Sequence, residues 1–231
     1  MSNARFDRPI KGTNRKEVIF FITKLGRNII EMEAMMKKYR QKFKKIKDEM
    51  DRWGELQSQL LSLYSNASSI IQRLQVINKS RNYGGLKCVE GIEGAVLAKQ
   101  MESLQVILLS MDETLEDFRR VVLSIEKIVR DSRQLVKGGS AQLTTKQLKQ
   151  QIGVKPSLAD CLDGLGLLEE MHQSEYHLKL SVVSALPELA LIPSGGEDDL
   201  GSLRQLLVDQ PNVPREEVQL IFDMVFAEEI C

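Results

Sequence analysis

Residues 97–129 read LAKQMESLQVILLSMDETLEDFRRVVLSIEKIV. The apolar positions fall at Leu97, Met101, Leu104, Leu108, Met111, Leu115, Phe118, Val122, Ile125 and Val129. Steps of four and three residues alternate throughout, which on an α-helix stacks these side chains into one stripe. A half-buried strand would alternate at every second residue instead. The segment is therefore a long helix that must cover one face against another helix. Gly138-Gly139 stop it, because glycine adopts the left-handed conformation that closes a helix C-terminus.

The same period runs upstream through Met36, Tyr39, Phe43, Ile46, Met50 and Trp53, and resumes at Leu56, Leu60, Leu63, Ala67, Ile70, Leu74 and Ile77. The step from Trp53 to Leu56 breaks the alternation beside Gly54. Such a stammer overwinds the seam, and glycine costs about 1 kcal/mol in a helix interior, so a kink or a break into two helices is expected there. Residues 78–94 carry Asn82-Tyr83-Gly84-Gly85, Gly91 and Gly94, the composition of a turn. Two apolar stripes joined by one loop close most simply as an antiparallel hairpin. An intermolecular coiled coil has the same periodicity.

Residues 140–156 read as a polar connector with one turn of helix after Thr144 or Thr145. Val154-Lys155-Pro156 forces an extended approach, and Ser157-Leu158-Ala159-Asp160 makes a capping box in which Asp replaces Glu. Leu158, Leu162, Leu165 and Leu168 continue one face toward Tyr176, Val183 and Leu186. Pro187 and Pro193-Ser194-Gly195-Gly196 are expected to end that helix. Asp198 or Asp199 caps a short helix through Leu203, Leu206 and Leu207, and Pro211 and Pro214 frame a turn into a final helix ending near Glu229. The expected fold is all-α: a long antiparallel heptad hairpin over residues 32–139, a linker over 140–156, and a smaller C-terminal helical module over 157–231. Residues 1–30 hold seven basic and two acidic residues with no sustained period, so 1–31 reads as a basic, disordered extension ahead of Met32 as a natural start.

Composition agrees. The chain is 231 residues long, 42% hydrophobic and 28% charged, with enough apolar content for a core and too much for disorder throughout. Aromatics at 5% favour helix over sheet. No run approaches the roughly eighteen apolar residues of a membrane span, and no normal secretory signal is present. Cys88, Cys161 and Cys231 are too scattered for a disulfide framework, which points to a reducing compartment. A formal net charge of zero conceals a division: residues 1–156 hold 29 Lys and Arg against 17 Asp and Glu, and residues 157–231 hold 3 against 15. Such segregation either matches the two parts within one fold or steers charged partners.

Catalytic and metal patterns are missing. His172 and His177 are five residues apart and leave a helix on different faces, so they do not form a two-ligand grip and read as surface or half-buried residues. Cys161 lies on an apolar stripe and reads as a small buried residue. The glycines spell neither GxGxxG nor a P-loop, and no GxSxG or HExxH occurs. No enzyme activity and no cofactor is expected. The basic run holds Lys37, Lys38, Arg40, Lys42, Lys44, Lys45 and Lys47. It is read first as the wet face of a coiled helix or the partner of the acidic tail. The alternative is phosphate contact, making the chain a basic-helix nucleic-acid binder. In the last helix Val218, Ile221, Phe222 and Val225 make one stripe, while Leu220, Met224 and Ala227 widen it. So wide an arc is either buried within its own domain or divided between that domain and a partner; the divided reading is preferred, with Leu220, Phe222, Met224 and Phe226 as partner contacts and Glu216, Glu217, Asp223, Glu228 and Glu229 as a charged rim.

The segments MEAMMKKYRQKFKKIKDEMDRW (32–53), AVLAKQMESLQVILLSM (95–111), VKPSLADCLDGL (154–165) and LLVDQPNVPREEVQLIFDMVFAEEIC (206–231) resemble a plant family of helical proteins. More distantly, the region around Trp53 and the stretch 203–213 with Gln210-Pro211 resemble the cyclin-dependent kinase 2-interacting protein. Pro156 to Asp160 and Glu175-Tyr176 with Lys179 resemble a human ribosome maturation factor. The two look to be sister subunits of an AAA-ATPase complex. The resemblance implies a non-enzymatic adaptor in a hetero-oligomer serving ribosome maturation, in nucleus or cytoplasm, with an AAA-ATPase and a sister helical subunit as partners and Tyr176, Lys179, Gln210 and Pro211 as contact residues. A nuclear adaptor for cell-cycle kinase or replication-checkpoint factors is its alternative.

Overall fold

A computed structural model describes residues 15–138, 144–151, 155–191 and 196–227. Among the described residues six α-helices follow one another: α1 (Arg15–Ile77), α2 (Ile92–Lys137), α3 (Thr145–Leu148), α4 (Leu158–Leu191), α5 (Gly196–Asp209) and α6 (Arg215–Phe226), with a 3-10 segment (Ser80–Cys88) between the first two. Strands are absent from the described residues. The fold class is the expected one.

The two seams close on each other within one chain. Tyr39 Oη donates to the carbonyl of Ser132 at 2.8 Å, Lys42 Nζ reaches Asp131 at 3.5 Å, Ser124 donates to Glu49, and the Trp53 and Phe118 rings meet edge-on at 4.5 Å. One number rises as the other falls, so the pair is antiparallel. Gly84 and Gly91, with φ of 52° and 76°, supply the left-handed turns that reverse the chain. Side chains such as Ile46, Leu60, Met111 and Phe118 are wholly buried on this seam, each worth roughly 1.5–3 kcal/mol of transfer free energy.

Neither helix has only one buried face. Gln57, Tyr64 and Ile71 on α1 are also buried, at steps of seven, and on α2 Leu104 and Leu108 line a groove with Pro187 and Ala190 while Arg133 pairs with Glu169. A second stripe beside the first means a third helix lies in the groove. That helix is α4. It runs parallel to α1, with Lys155 beside Glu33 at 3.6 Å, His172 against Trp53 and Lys179 on Gln57. The chain then returns through α5 and α6. Tyr64 Oη donates to Leu200 O at 2.8 Å and Gln57 Nε2 to Leu207 O at 2.6 Å, while Phe222 packs on Phe43 at 5.8 Å. The result is an up-down-up-down bundle whose fourth member is broken at residues 210–214. Residues of the expected hairpin and of the expected C-terminal module share one buried cluster.

Local expectations fare unevenly. The capping box forms as read: the Ser157 amide and hydroxyl both donate to Asp160 Oδ2, at 2.9 and 2.7 Å, and the Asp160 amide donates to Ser157 Oγ at 3.2 Å. A second box, Thr144 with Gln147, opens α3. The break expected at Gly54 does not occur, since α1 is continuous from Arg15 to Ile77. Gly54 is solvent-exposed, while Trp53 and Gln57 on either side are anchored in the core. α4 likewise runs past Pro187 to Leu191, because Leu186, Leu189 and Ala190 on either side of the proline are anchored in the core and outweigh the lost backbone bond. α1 also crosses the expected boundary at 31/32 without interruption, and Met32 is the first of the described side chains to be buried. Residues 1–14, Gly139, Val154, residues 193–195 and residues 228–231, on which other expectations fell, lie outside the described residues.

Candidate functional site

The fourth member of the bundle breaks where Asp209 ends α5, and the corner Gln210-Pro211-Asn212-Val213 turns the chain into α6. Gln210 has φ of 45°, a left-handed backbone that a non-glycine side chain adopts at some cost. A buried polar knot holds it there. Trp53 Nε1 donates to Gln210 Oε1 at 2.9 Å. Lys179 Nζ donates to Glu175 Oε1 at 2.9 Å, to Gln57 Oε1 at 2.7 Å and more weakly to Gln210 Oε1 at 3.5 Å. The other carboxylate oxygen of Glu175 accepts from the backbone amide and the side-chain Nδ2 of Asn212, at 3.2 and 3.1 Å. Lys179 and Glu175 are both completely enclosed.

An enclosed ammonium is costly unless it is paired. Here three side-chain oxygens receive its protons, and the faces of Trp53 and Phe118 lie 5.5 Å from Nζ. Burial lowers the Lys179 pKa from its ordinary value, and the Glu175 carboxylate opposes that shift. His172 closes the knot from α4. It is buried, not at the surface or half-buried as its neighbours in sequence suggest, with its ring edge-on to Trp53 at 5.0 Å. Its Nδ1 lies 2.7 Å from the Leu168 carbonyl, which can only accept, so that nitrogen carries the proton. Burial lowers its pKa, so the ring is held neutral. Cys161 is enclosed and its thiol is pushed up to about 12, chiefly by burial, which makes it inert near neutral pH.

Outside the knot, an open cleft of about 1450 Å³ separates α1 from the corner and α6. Met50, Val208, Pro211, Phe222 and Phe226 give it apolar walls, and Lys44, Lys47, Asp48, Asp209 and Asp223 also line it. Beside it α6 divides its apolar arc. Val218, Ile221 and Val225 are buried, Phe222, Met224 and Phe226 are half-buried, and Leu220 is 70% exposed. Gly164 admits α6 closely, since a Cβ there would sit 3.1 Å from Ile221.

The residues singled out from sequence separate into three groups. Lys179 faces inward, so it acts on the corner from within and presents no contact surface; Gln210 joins it. Pro211, Phe222 and Phe226 line the cleft with Lys44 and Lys47, whereas exposed Leu220 and half-buried Met224 lie one turn apart on the other flank of α6. Tyr176 is half-buried beside His177 and belongs to none of these. Of the basic run, Lys42 is paired with Asp131, Lys44 lies 5.9 Å from the Phe226 ring centroid, and Arg40 is partly buried. Lys37, Lys38, Lys45 and Lys47 are exposed. Sequence reasoning missed Gln57, Glu175 and Asn212 as a set. The available signal was Gln57 in the stripe of seven with Tyr64 and Ile71, and Glu175 four residues before Lys179 on an apolar helix.

Among the described residues no group of three or more His, Cys, Asp or Glu is placed to hold a metal ion, and no helix is long and apolar enough to cross a membrane. Cingulin from Papio anubis is 31% identical over 93 residues, which is 40% of this chain and 7% of cingulin. So small a share of that protein carries no functional argument. A family model described as "Ribosome biogenesis protein C1orf109-like" matches residues 33–230, taking in the hairpin, the knot and the α6 face. The chain belongs to the C1orf109-like family of ribosome biogenesis proteins.

Proposed function

We propose that this chain is a non-enzymatic adaptor subunit of a hetero-oligomer in ribosome maturation, with an AAA-ATPase and a sister helical subunit as its partners. Family membership supports the process. The observation that carries the adaptor reading is the divided arc of α6: Val218, Ile221 and Val225 are sealed into the bundle, while Phe222 and Phe226 line the open cleft on one flank and Leu220 stands 70% exposed on the other. Exposed apolar side chains beside a polar rim are the usual make-up of a protein contact. The resemblance of the Gln210-Pro211 and Ser157–Asp160 segments to subunits of an AAA-ATPase complex supports the choice of partner. In this reading Pro211, Leu220, Phe222, Met224 and Phe226 make the contact, and Lys179 and Gln210 fix its shape from behind. Co-purification of the tagged full-length chain from its native cells, followed by mass spectrometry, tests it. An AAA-ATPase and a second helical subunit are expected in stable proportion. Recovery of the chain without any ATPase overturns the assignment.

A further inference from the structure

The antiparallel seam brings two basic stretches together at the end of the bundle away from the turn. Residues 34–47 of α1 hold seven Lys and Arg and no acid, and residues 125–138 of α2 hold four with two acids. Both acids are already engaged, Asp131 with Lys42 at 3.5 Å and Glu126 with Arg130 at 3.4 Å. At the same level α4 contributes Asp160, which is tied to the Ser157 cap, Glu169, which pairs with Arg133 at 3.4 Å, and the exposed Asp163. These lie on the α4 side. On the opposite side the contacts Lys42–Asp131 and Glu49–Ser124 bracket Lys45 and Lys127, which therefore stand level across the seam. Lys38 lies two turns before Lys45 on α1, about 10 Å along the axis. All three are exposed, and none has an ion-pair partner among the described residues.

We propose that this ridge, through Lys38, Lys45 and Lys127, binds the phosphodiester backbone of RNA. Lysine-rich surface is depleted from protein–protein contacts but suits sequence-independent phosphate binding, where released counterions drive association. The acidic residues of α5 and α6 do not neutralise the ridge: Asp198, Asp199, Asp209, Glu216, Glu217 and Asp223 are exposed on the fourth member of the bundle, on the other flank of α1. In a family of ribosome biogenesis proteins the abundant polyanion is RNA. The ridge is separate from α6, so this inference stands or falls independently of the adaptor reading.

The test is fluorescence anisotropy of the full-length chain with a labelled RNA duplex at stepped KCl concentrations. It uses wild type, the triple variant Lys38→Glu/Lys45→Glu/Lys127→Glu, and Lys79→Glu at the far end of the hairpin. Wild-type affinity is expected to fall linearly with log salt. The triple variant is expected to bind about tenfold or more weakly, with a shallower slope, since each lost phosphate contact removes a unit or slightly less of slope. Lys79→Glu is expected to leave binding unchanged, and all variants to keep the wild-type melting curve. Absence of RNA binding, equal loss in both variants, or binding to a DNA duplex or polyglutamate without RNA binding overturns the proposal.

Discussion

The two flanks of α1 are built by different physics. Toward α2 the contact is mainly an apolar stripe, with Ile46, Leu60, Met111 and Phe118 wholly buried and, among the described residues, a single enclosed hydrogen bond, from Tyr39 to Ser132 O. Toward α5 and α6 the contact is directional: Tyr64 to Leu200 O, Gln57 to Leu207 O, Trp53 to Gln210, and the Lys179–Glu175 pair behind them. An apolar stripe decides which faces meet and tolerates repacking. Hydrogen-bonded groups enclosed without water tolerate little, so they fix one register at the expense of stability. The first flank makes the bundle. The second sets where the broken return helix sits, and with it the exposed face of α6.

Breaking the polar flank has the largest expected effect. Lys179→Ala leaves the Glu175 carboxylate enclosed without its cation and should cost about 3–5 kcal/mol in urea unfolding. The double variant Lys179→Met/Glu175→Leu should recover most of that loss, while hydrogen exchange over residues 196–227 stays faster than wild type because the corner has lost its clamps. Full protection of the corner in the double variant would show that the knot adds no register.

Graded substitutions sharpen the apolar flank. Met111 is wholly buried, whereas Leu108 is half-buried where the apolar groove beside Pro187 and Leu191 opens. Met111→Asp should therefore destabilise by several kcal/mol and Leu108→Asp by clearly less. Equal losses would mean that the groove closes in solution.

Acid distinguishes the flanks again. His172 binds its proton less readily folded than unfolded, so the unfolded chain takes up more protons below its ordinary pKa of about 6.5. Stability is whole above that value and falls as the pH drops toward the lowered pKa, at up to about 1.4 kcal/mol per pH unit. A His172→Gln variant should show a flatter profile between pH about 6.5 and the onset of carboxylate protonation. An unchanged profile would assign the loss elsewhere. The smallest effect is expected at Gly54, where a Cβ meets nothing within 4 Å; Gly54→Ala should stabilise by up to about 1 kcal/mol in thermal unfolding.

The apolar flank was legible in the sequence and the polar flank was not. Periodicity reports apolar stripes, so Met36 to Leu74 and Leu104 to Val129 announced their partners. The capping box was readable because Ser157 and Asp160 are three residues apart and need no distant group. Gln57, Glu175 and Asn212 look like surface residues until the fold brings them together across more than a hundred positions of chain, as the 122-residue separation of Gln57 and Lys179 illustrates. Gly54 misled for a related reason: propensity suggests a break, but the anchored neighbours Trp53 and Gln57 override it. On the candidate contact face, the wide arc of α6 was readable as divided, yet only the bundle reveals that Leu220 is the residue left outside.

The account rests most directly on Leu220. Partner binding by the full-length chain, measured by quantitative pull-down of the proposed ATPase partner alongside melting temperature, should collapse in Leu220→Asp while the melting temperature stays within a degree or two of wild type, as expected for an exposed position. Retained binding at wild-type strength in that variant would contradict the claim that the outer face of α6 is the docking surface.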